Sequence, residues 1–305
     1  MDNTSLVEEI KRYRSEKNAV ILVHNYQPPE IHDIADYIGD SLGLSIEASK
    51  TTADIIVFCG VFFMAETAKI LSPQKTVLLP EPAAGCPMAD MINAQDLQNL
   101  QKEHPHARTL CYVNTPAEVK AYSDLCCTSA NAVTLVEKVL AEAGEIIFVP
   151  DKNLAHYVSR VTGRSFIAWE GYCPVHADIT TDDIQQQKKR HPEAEVLVHP
   201  ECVPDVVDLA DYVLSTEGMV RHAGSADTRE FILATEKGII YRLQKENPEK
   251  AFYPASTASV CPNMKKITLD KVLASLEEEI FEVTLPPHIM SRARESIQKM
   301  LDYRD

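Results

Sequence analysis

Three Cys-Pro pairs recur along the chain at a nearly constant period: Cys86-Pro87, Cys173-Pro174 and Cys261-Pro262, separated by 87 and 88 residues. Eight cysteines and 18 prolines scattered over 305 residues would give less than one such dipeptide by chance. The pairs close a longer pattern. Apolar runs VILVHNYQP (20–28), TLCYVNTP (109–116) and VLVHPECVP (196–204) start 89 and 87 residues apart, and each ends in polar residues and a proline. A helical segment precedes each run (5–17, 94–103, 181–190), and two of these segments end in the turns HPHA and HPEA. After each run come a helical stretch, a Ser/Thr-bearing turn and a second apolar strand (54–60, 145–151, 230–236). A further helix and a short third strand then lead to the Cys-Pro pair. Such self-similarity is the mark of triplication.

Continuous apolar strands alternating with helices imply parallel βαβ units with both sheet faces covered. The expected fold is therefore α/β: three repeated three-layer α/β/α domains with parallel sheets around a pseudo-threefold axis. The boundaries fall at 1–92, 93–179 and 180–267, with one Cys-Pro pair in each domain. A C-terminal extension, 268–305, reads as helix, strand (FEVTLP) and helix packing back on the body.

Equivalent cysteines beyond the strand ends of three units would meet at one point, where α/β folds gather ligands. Three thiolates can hold three corners of an iron–sulfur cubane and leave the fourth iron open, a Lewis acid rather than an electron carrier. They can equally hold a catalytic zinc with one water, or pack as structural thiols. Zinc sites more often include histidine or closely spaced cysteine pairs, and no CxxC occurs here. Of the other cysteines, Cys59 and Cys111 read as core. Cys126 and Cys127 read as packed in a helix-to-turn stretch, and Cys202 as lying near the site mouth without being a ligand.

The first strands end in His24-Asn25-Tyr26, Tyr112-Val113-Asn114 and His199-Pro200-Glu201. His24, Tyr112 and His199 should converge with Tyr26, Asn114 and Glu201 on a small polyanionic substrate, helped by turn hydroxyls of Ser41, Ser129 and Thr216. Glu201, the one carboxylate of these positions, is the natural general acid/base. Each residue also has a plain structural reading: strand-end rings pack, hydroxyls cap helices, and the Asp33, Asp36 and Asp40 run caps or faces solvent. Threefold equivalence beside the cysteines favours the functional reading.

A formal net charge of −15 speaks against a nucleic-acid partner. The absence of an eighteen-residue apolar run speaks against a membrane span, and the charged start MDNTSLVEEIKRYRSEKN is unlike a signal peptide. A cytoplasmic enzyme with reduced thiols is the expectation.

The stretches HNYQ (24–27), DIADYIGDSL (33–42), GCPMAD (85–90), YVNTPAEVKAYSD (112–124), TSANAV (128–133), GYCPVH (171–176), HPEC (199–202), STEGM (215–219) and CPNMKKITL (261–269) resemble quinolinate synthases, in order and over nearly the whole length. The resemblance implies one [4Fe–4S] cluster per chain on Cys86, Cys173 and Cys261. It also implies condensation of iminoaspartate with dihydroxyacetone phosphate to quinolinate, phosphate and two waters, a step toward NAD. By the same resemblance His24, Ser41, Tyr112, Asn114, Ser129, His199 and Thr216 bind substrate carboxylates or phosphate. Glu201 shuttles protons, and Tyr26, His176 and His199 act beside the intermediate. An aspartate-oxidising enzyme would be the transient partner supplying iminoaspartate. Some relatives carry CxxCxxC at the third ligand; here Cys261 is followed by Pro-Asn-Met, so a thiol switch there is not expected. A zinc-dependent aldolase or hydrolase on the same cysteines, or a non-catalytic iron–sulfur sensor, are the competing readings.

Overall fold

The computed structural model describes residues 2–303; Met1, Arg304 and Asp305, which the outer boundaries drawn from the sequence include, lie outside them. The chain forms three four-stranded sheets, and every strand pairing within them is parallel. The first holds β1 (Ala19–His24), β2 (Tyr37–Gly39), β3 (Ile55–Cys59) and β4 (Thr76–Leu78) in the order β2-β1-β3-β4. The second repeats that order with β5 (Arg108–Tyr112), β6 (Leu125–Cys127), β7 (Ile146–Val149) and β8 (Ile167–Ala168) as β6-β5-β7-β8. The third does so with β9 (Glu195–Val198), β10 (Tyr212–Val213), β11 (Glu230–Ala234) and β12 (Ala251–Pro254) as β10-β9-β11-β12. The α/β class with three repeated layered units is as the sequence indicates.

Each sheet has one strand more than the sequence pattern shows. β2, β6 and β10 span only two or three residues, too few for alternation to register. Cys126 and Cys127 lie in β6, which corrects their expected place between helix and turn. The same device seats all three added strands. Asp36, Asp124 and Asp211 stand just before them and accept the backbone N–H of Ile21, Thr109 and Val196 at 2.9, 2.8 and 2.8 Å. Those N–H groups open the neighbouring strand and would otherwise lack a partner.

Helices 94–103 and 181–190 appear where the sequence put them, because each starts on a reciprocal capping box. Asn93 pairs with Asp96 in one box and Thr180 with Asp183 in the other. The central strands β3 and β7 are buried along their whole length. Side chains such as Phe58, Phe148 and Phe231 are fully enclosed, each contributing about 1.5–3 kcal/mol by leaving water. One apolar cluster runs through the first two units into the third, and a smaller one, with Val196, Val198 and Ile232, backs the third sheet.

The C-terminal extension differs from expectation in its middle. FEVTLP is not a strand of a sheet: it makes a single antiparallel bridge, Leu78 to Glu282, on the edge of β4. Leu79 N–H donates to Phe281 O (3.1 Å) and Val283 N–H to Val77 O (2.8 Å), and Pro286 and Pro287 then stop the pairing. The helix Leu269–Glu278 lies on the first helix, Asn3–Glu16, where the Tyr13 hydroxyl donates to Glu277 at 2.6 Å. The last helix, Pro287–Asp302, packs on β6 and on helices 117–121 and 62–71, bridging the first two units. No helix among the described residues is long and apolar enough to cross a membrane.

Candidate active site and metal centre

The carboxyl ends of the three sheets open onto one concave pocket, the kind of place where small ligands bind. From the first unit it is lined by His24, the last residue of β1, with Tyr26, Ser41 and Cys86. The second unit gives Tyr112, the last residue of β5, with Asn114, Ser129, Cys173 and His176. The third gives His199 and Glu201, just beyond β9, with Thr216 and Cys261. All the residues singled out from the sequence thus lie around one space.

Ser41 and Thr216 are not the helix caps they could have been. Asp40 caps the first of these helices, accepting from Gly43 N–H at 2.8 Å, and Ser215 caps the other, accepting from Gly218 N–H at 3.2 Å. Their neighbours' hydroxyls are therefore spared that duty at helix starts, where backbone dipoles favour anions. Thr216 Oγ1 accepts from Asn25 Nδ2 at 2.9 Å, and Arg242 in turn bonds Asn25 Oδ1 and Glu217, both at 2.8 Å. This network ties the first unit to the third directly behind the pocket. In the second unit the carbonyl oxygen of Asn114 is buried with no hydrogen-bond partner, an acceptor left for a ligand donor.

His24 and His199 are buried, which pushes both imidazoles down to about 3. They are neutral near pH 7. The Nδ1 of each faces the backbone N–H two residues on, Tyr26 at 3.2 Å and Glu201 at 3.4 Å. The ring proton must then sit on Nε2, so each offers a neutral N–H donor.

Glu201 is the hub. Its Oε1 accepts the Tyr112 hydroxyl, and its Oε2 lies 2.8 Å from His176 Nδ1. Burial pushes this carboxyl up, but His176, His199 and the Tyr112 hydroxyl outweigh it and hold it below the usual carboxylate range. Tyr26 and Tyr112 go the other way: burial, then the charge of Glu201, keeps both phenols protonated.

Cys86, Cys173 and Cys261 are partly exposed, unlike the other five, which are buried. Burial pushes the Cys86 thiol up to about 12 and raises the other two. Against that, the backbone amide three positions on, of Ala89, His176 and Met264, pulls each thiol back down. The Cys-Pro repeat thus sets each sulfur beside the amides that follow it, a surrounding that favours thiolate. Cys173, His176 and Glu201 also form a group able to hold a metal ion, their ligand atoms lying within 4.8 Å of one another. The donor set fits a thiophilic metal group.

Sequence reading missed some of the lining and misjudged one cysteine. Asp40 and Glu236 bring two further carboxylates to the pocket; Glu236 bridges Lys265 at 3.0 Å and accepts Cys261 N–H at 3.3 Å. Thr235, fully buried, bonds Tyr26 and His176 from behind the lining. Gly60 and Pro150 occupy the positions equivalent to Thr235, so a search for threefold matches passes over it. Cys202 is not at the mouth: it is buried in the core of the third unit, its thiol directed to Ala234 O at 3.4 Å.

A family model described as "Quinolinate synthetase A protein" matches residues 8–302. The quinolinate synthase of Methanosarcina barkeri is 50% identical over 301 residues, covering 99% of this chain and 98% of that one. Those of Thermodesulfovibrio yellowstonii and Dehalococcoides mccartyi are each 53% identical, over 97% and 96% of both chains. The chain belongs to this family of enzymes.

Proposed function

We propose, from that membership, that this chain is a quinolinate synthase that condenses iminoaspartate with dihydroxyacetone phosphate in the cytosol, as a step in making NAD. The products are quinolinate, one phosphate and two waters. Carbon, nitrogen and hydrogen balance without an oxidant, so the protein has protons and leaving groups to manage but no net electron transfer. What supports the reading is the convergence of one strand-end triplet and one cysteine from each unit on a single pocket.

Cys86, Cys173 and Cys261 would hold the [4Fe–4S] cluster. When bound, it supplies one iron free of protein ligands, a Lewis acid for a substrate oxygen or nitrogen. The chain's own groups do the rest. His24 and His199 give neutral N–H donors to the substrate's anionic groups, and the hydroxyls of Ser41, Ser129 and Thr216 complete the set. Asn114 accepts a substrate donor at its orphaned oxygen. Glu201, held ionised between Tyr112 and His176, takes a carbon-bound proton in each step and gives it back, to a neighbouring atom in isomerisation and to the departing hydroxyl in each dehydration. Tyr26, protonated and adjacent to His176, assists at the triose. Iminoaspartate hydrolyses readily, which favours direct supply by an aspartate-oxidising enzyme.

The grouping of Cys173, His176 and Glu201 favours a second reading, a single zinc on a mixed donor set serving an aldolase or hydrolase. Protein purified without oxygen separates the two. About four irons and four sulfides per chain, with quinolinate formed from the two substrates, are expected; zinc without sulfide would sink the cluster and the reaction built on it.

A further inference from the structure

One buried hydroxyl links all three units at the pocket floor. Thr235 follows β11 of the third sheet and is fully enclosed. Its Oγ1 lies 2.6 Å from the Tyr26 hydroxyl of the first unit and 2.9 Å from His176 Nε2 of the second. Tyr26 and His176 are themselves 3.4 Å apart at those atoms. The directions of these bonds follow from the other end of the chain. His176 Nδ1 faces the Glu201 carboxylate, which can only accept, so the ring proton is on Nδ1. In the neutral ring Nε2 is then an acceptor, and the Thr235 hydroxyl donates to it. The threonine oxygen is left to accept the Tyr26 O–H. The string reads Tyr26 to Thr235 to His176 to Glu201, with every proton assigned.

We propose that Thr235 is a positioning residue for the reaction, an inference that rests on the function argued above. It orients Tyr26 and His176 at once. Without the hydroxyl, Nε2 and the phenol face each other at a poor distance and each loses its short partner. His176 is then free to turn away from Glu201 and from Cys173 Sγ, 3.2 Å from its Nδ1. The repeat argues for specialisation as well: the equivalent residues Gly60 and Pro150 carry no hydroxyl, so the third unit alone supplies one at this position, where a residue from each of the other two units bonds it.

The test compares Thr235→Val with Thr235→Ser in holoenzyme prepared without oxygen. Valine keeps the shape and removes the hydroxyl; serine restores it. Thr235→Val is expected to retain iron and sulfide, hold KM within about twofold and lose about 10- to 100-fold in kcat. Thr235→Ser should recover most of that loss. Wild-type kcat in Thr235→Val, or equal losses in both variants at full cluster content, would overturn the proposal. Should valine prevent folding, Thr235→Ala against Thr235→Ser makes the same comparison. Crystal structures of the wild type and the valine variant give a readout independent of turnover. Rotated Tyr26 and His176 rings support the positioning role, and unmoved rings refute it. If the wild type makes no quinolinate, the functional reading falls while the ring positions still decide the role of Thr235.

Discussion

Gly171 sits two residues before Cys173, in a bridge with Asp151, and Lys152 N–H donates to its carbonyl at 2.9 Å. A Cβ built there would lie more than half an ångström inside the 3.0 Å limit that real Cβ contacts observe, and the atom it meets is the Pro150 carbonyl oxygen, which cannot swing away. Gly171→Ala must therefore push two backbone segments apart by at least that amount. Overpacking of this kind costs about 1–3 kcal/mol. The consequence for the proposed metal centre is larger than for the fold, because metal ligands tolerate only about 0.2 Å of misplacement. We expect Gly171→Ala to keep its far-UV circular dichroism, unfold at lower denaturant and lose most of its iron and sulfide after anaerobic purification. A variant with full iron and wild-type stability would refute the reasoning, since it would mean the bridge yields without moving Cys173.

Further outcomes can be stated for the proposed reaction. Glu201→Gln should leave cluster and binding in place while kcat falls about 10²- to 10⁴-fold, by loss of the acid/base group; unchanged turnover removes Glu201 from that role. Tyr112→Phe takes a donor from a carboxylate whose pKa the donor lowers, so the pKa rises and the acid limb of the kcat–pH profile moves to higher pH. A limb moving the other way would contradict the assigned bond. Arg242→Ala breaks the seam to Asn25 and Glu217 and should cost about 1–3 kcal/mol by denaturant titration, with KM raised through Thr216. Cys86→Ala should lose quinolinate formation and most iron together; iron retained at the wild-type level would take Cys86 out of the ligand set.

The parts of this fold legible in the sequence were those written three times. The Cys-Pro period announced three units, and the strand-end polar residues announced where the units would face each other. Strong local signals, such as the capping boxes at Asn93 and Thr180, fixed helix starts. What escaped was short or unrepeated. β2, β6 and β10 depend on aspartates at their entry rather than on apolar alternation, so two or three residues gave no period to read. FEVTLP has strand composition, but the sheet edge it meets offers one bridge before two prolines end it. Thr235 matters through contacts across units, Glu236 through Lys265 and Cys261 farther along its own unit, and Cys202 is turned into the core by packing that no single segment encodes.

Each sheet is drawn from one contiguous stretch of chain, whereas the pocket is lined by a cysteine from each of the three. During synthesis all strands of the first two sheets emerge while the third sulfur is still unmade. Insertion of the proposed cluster would consequently wait until translation is nearly finished. A chain cut short between Cys173 and Cys261 would carry two of the three thiols and would lack the last helix, which packs across the first two units, so such a fragment would miss both the third sulfur and the clasp.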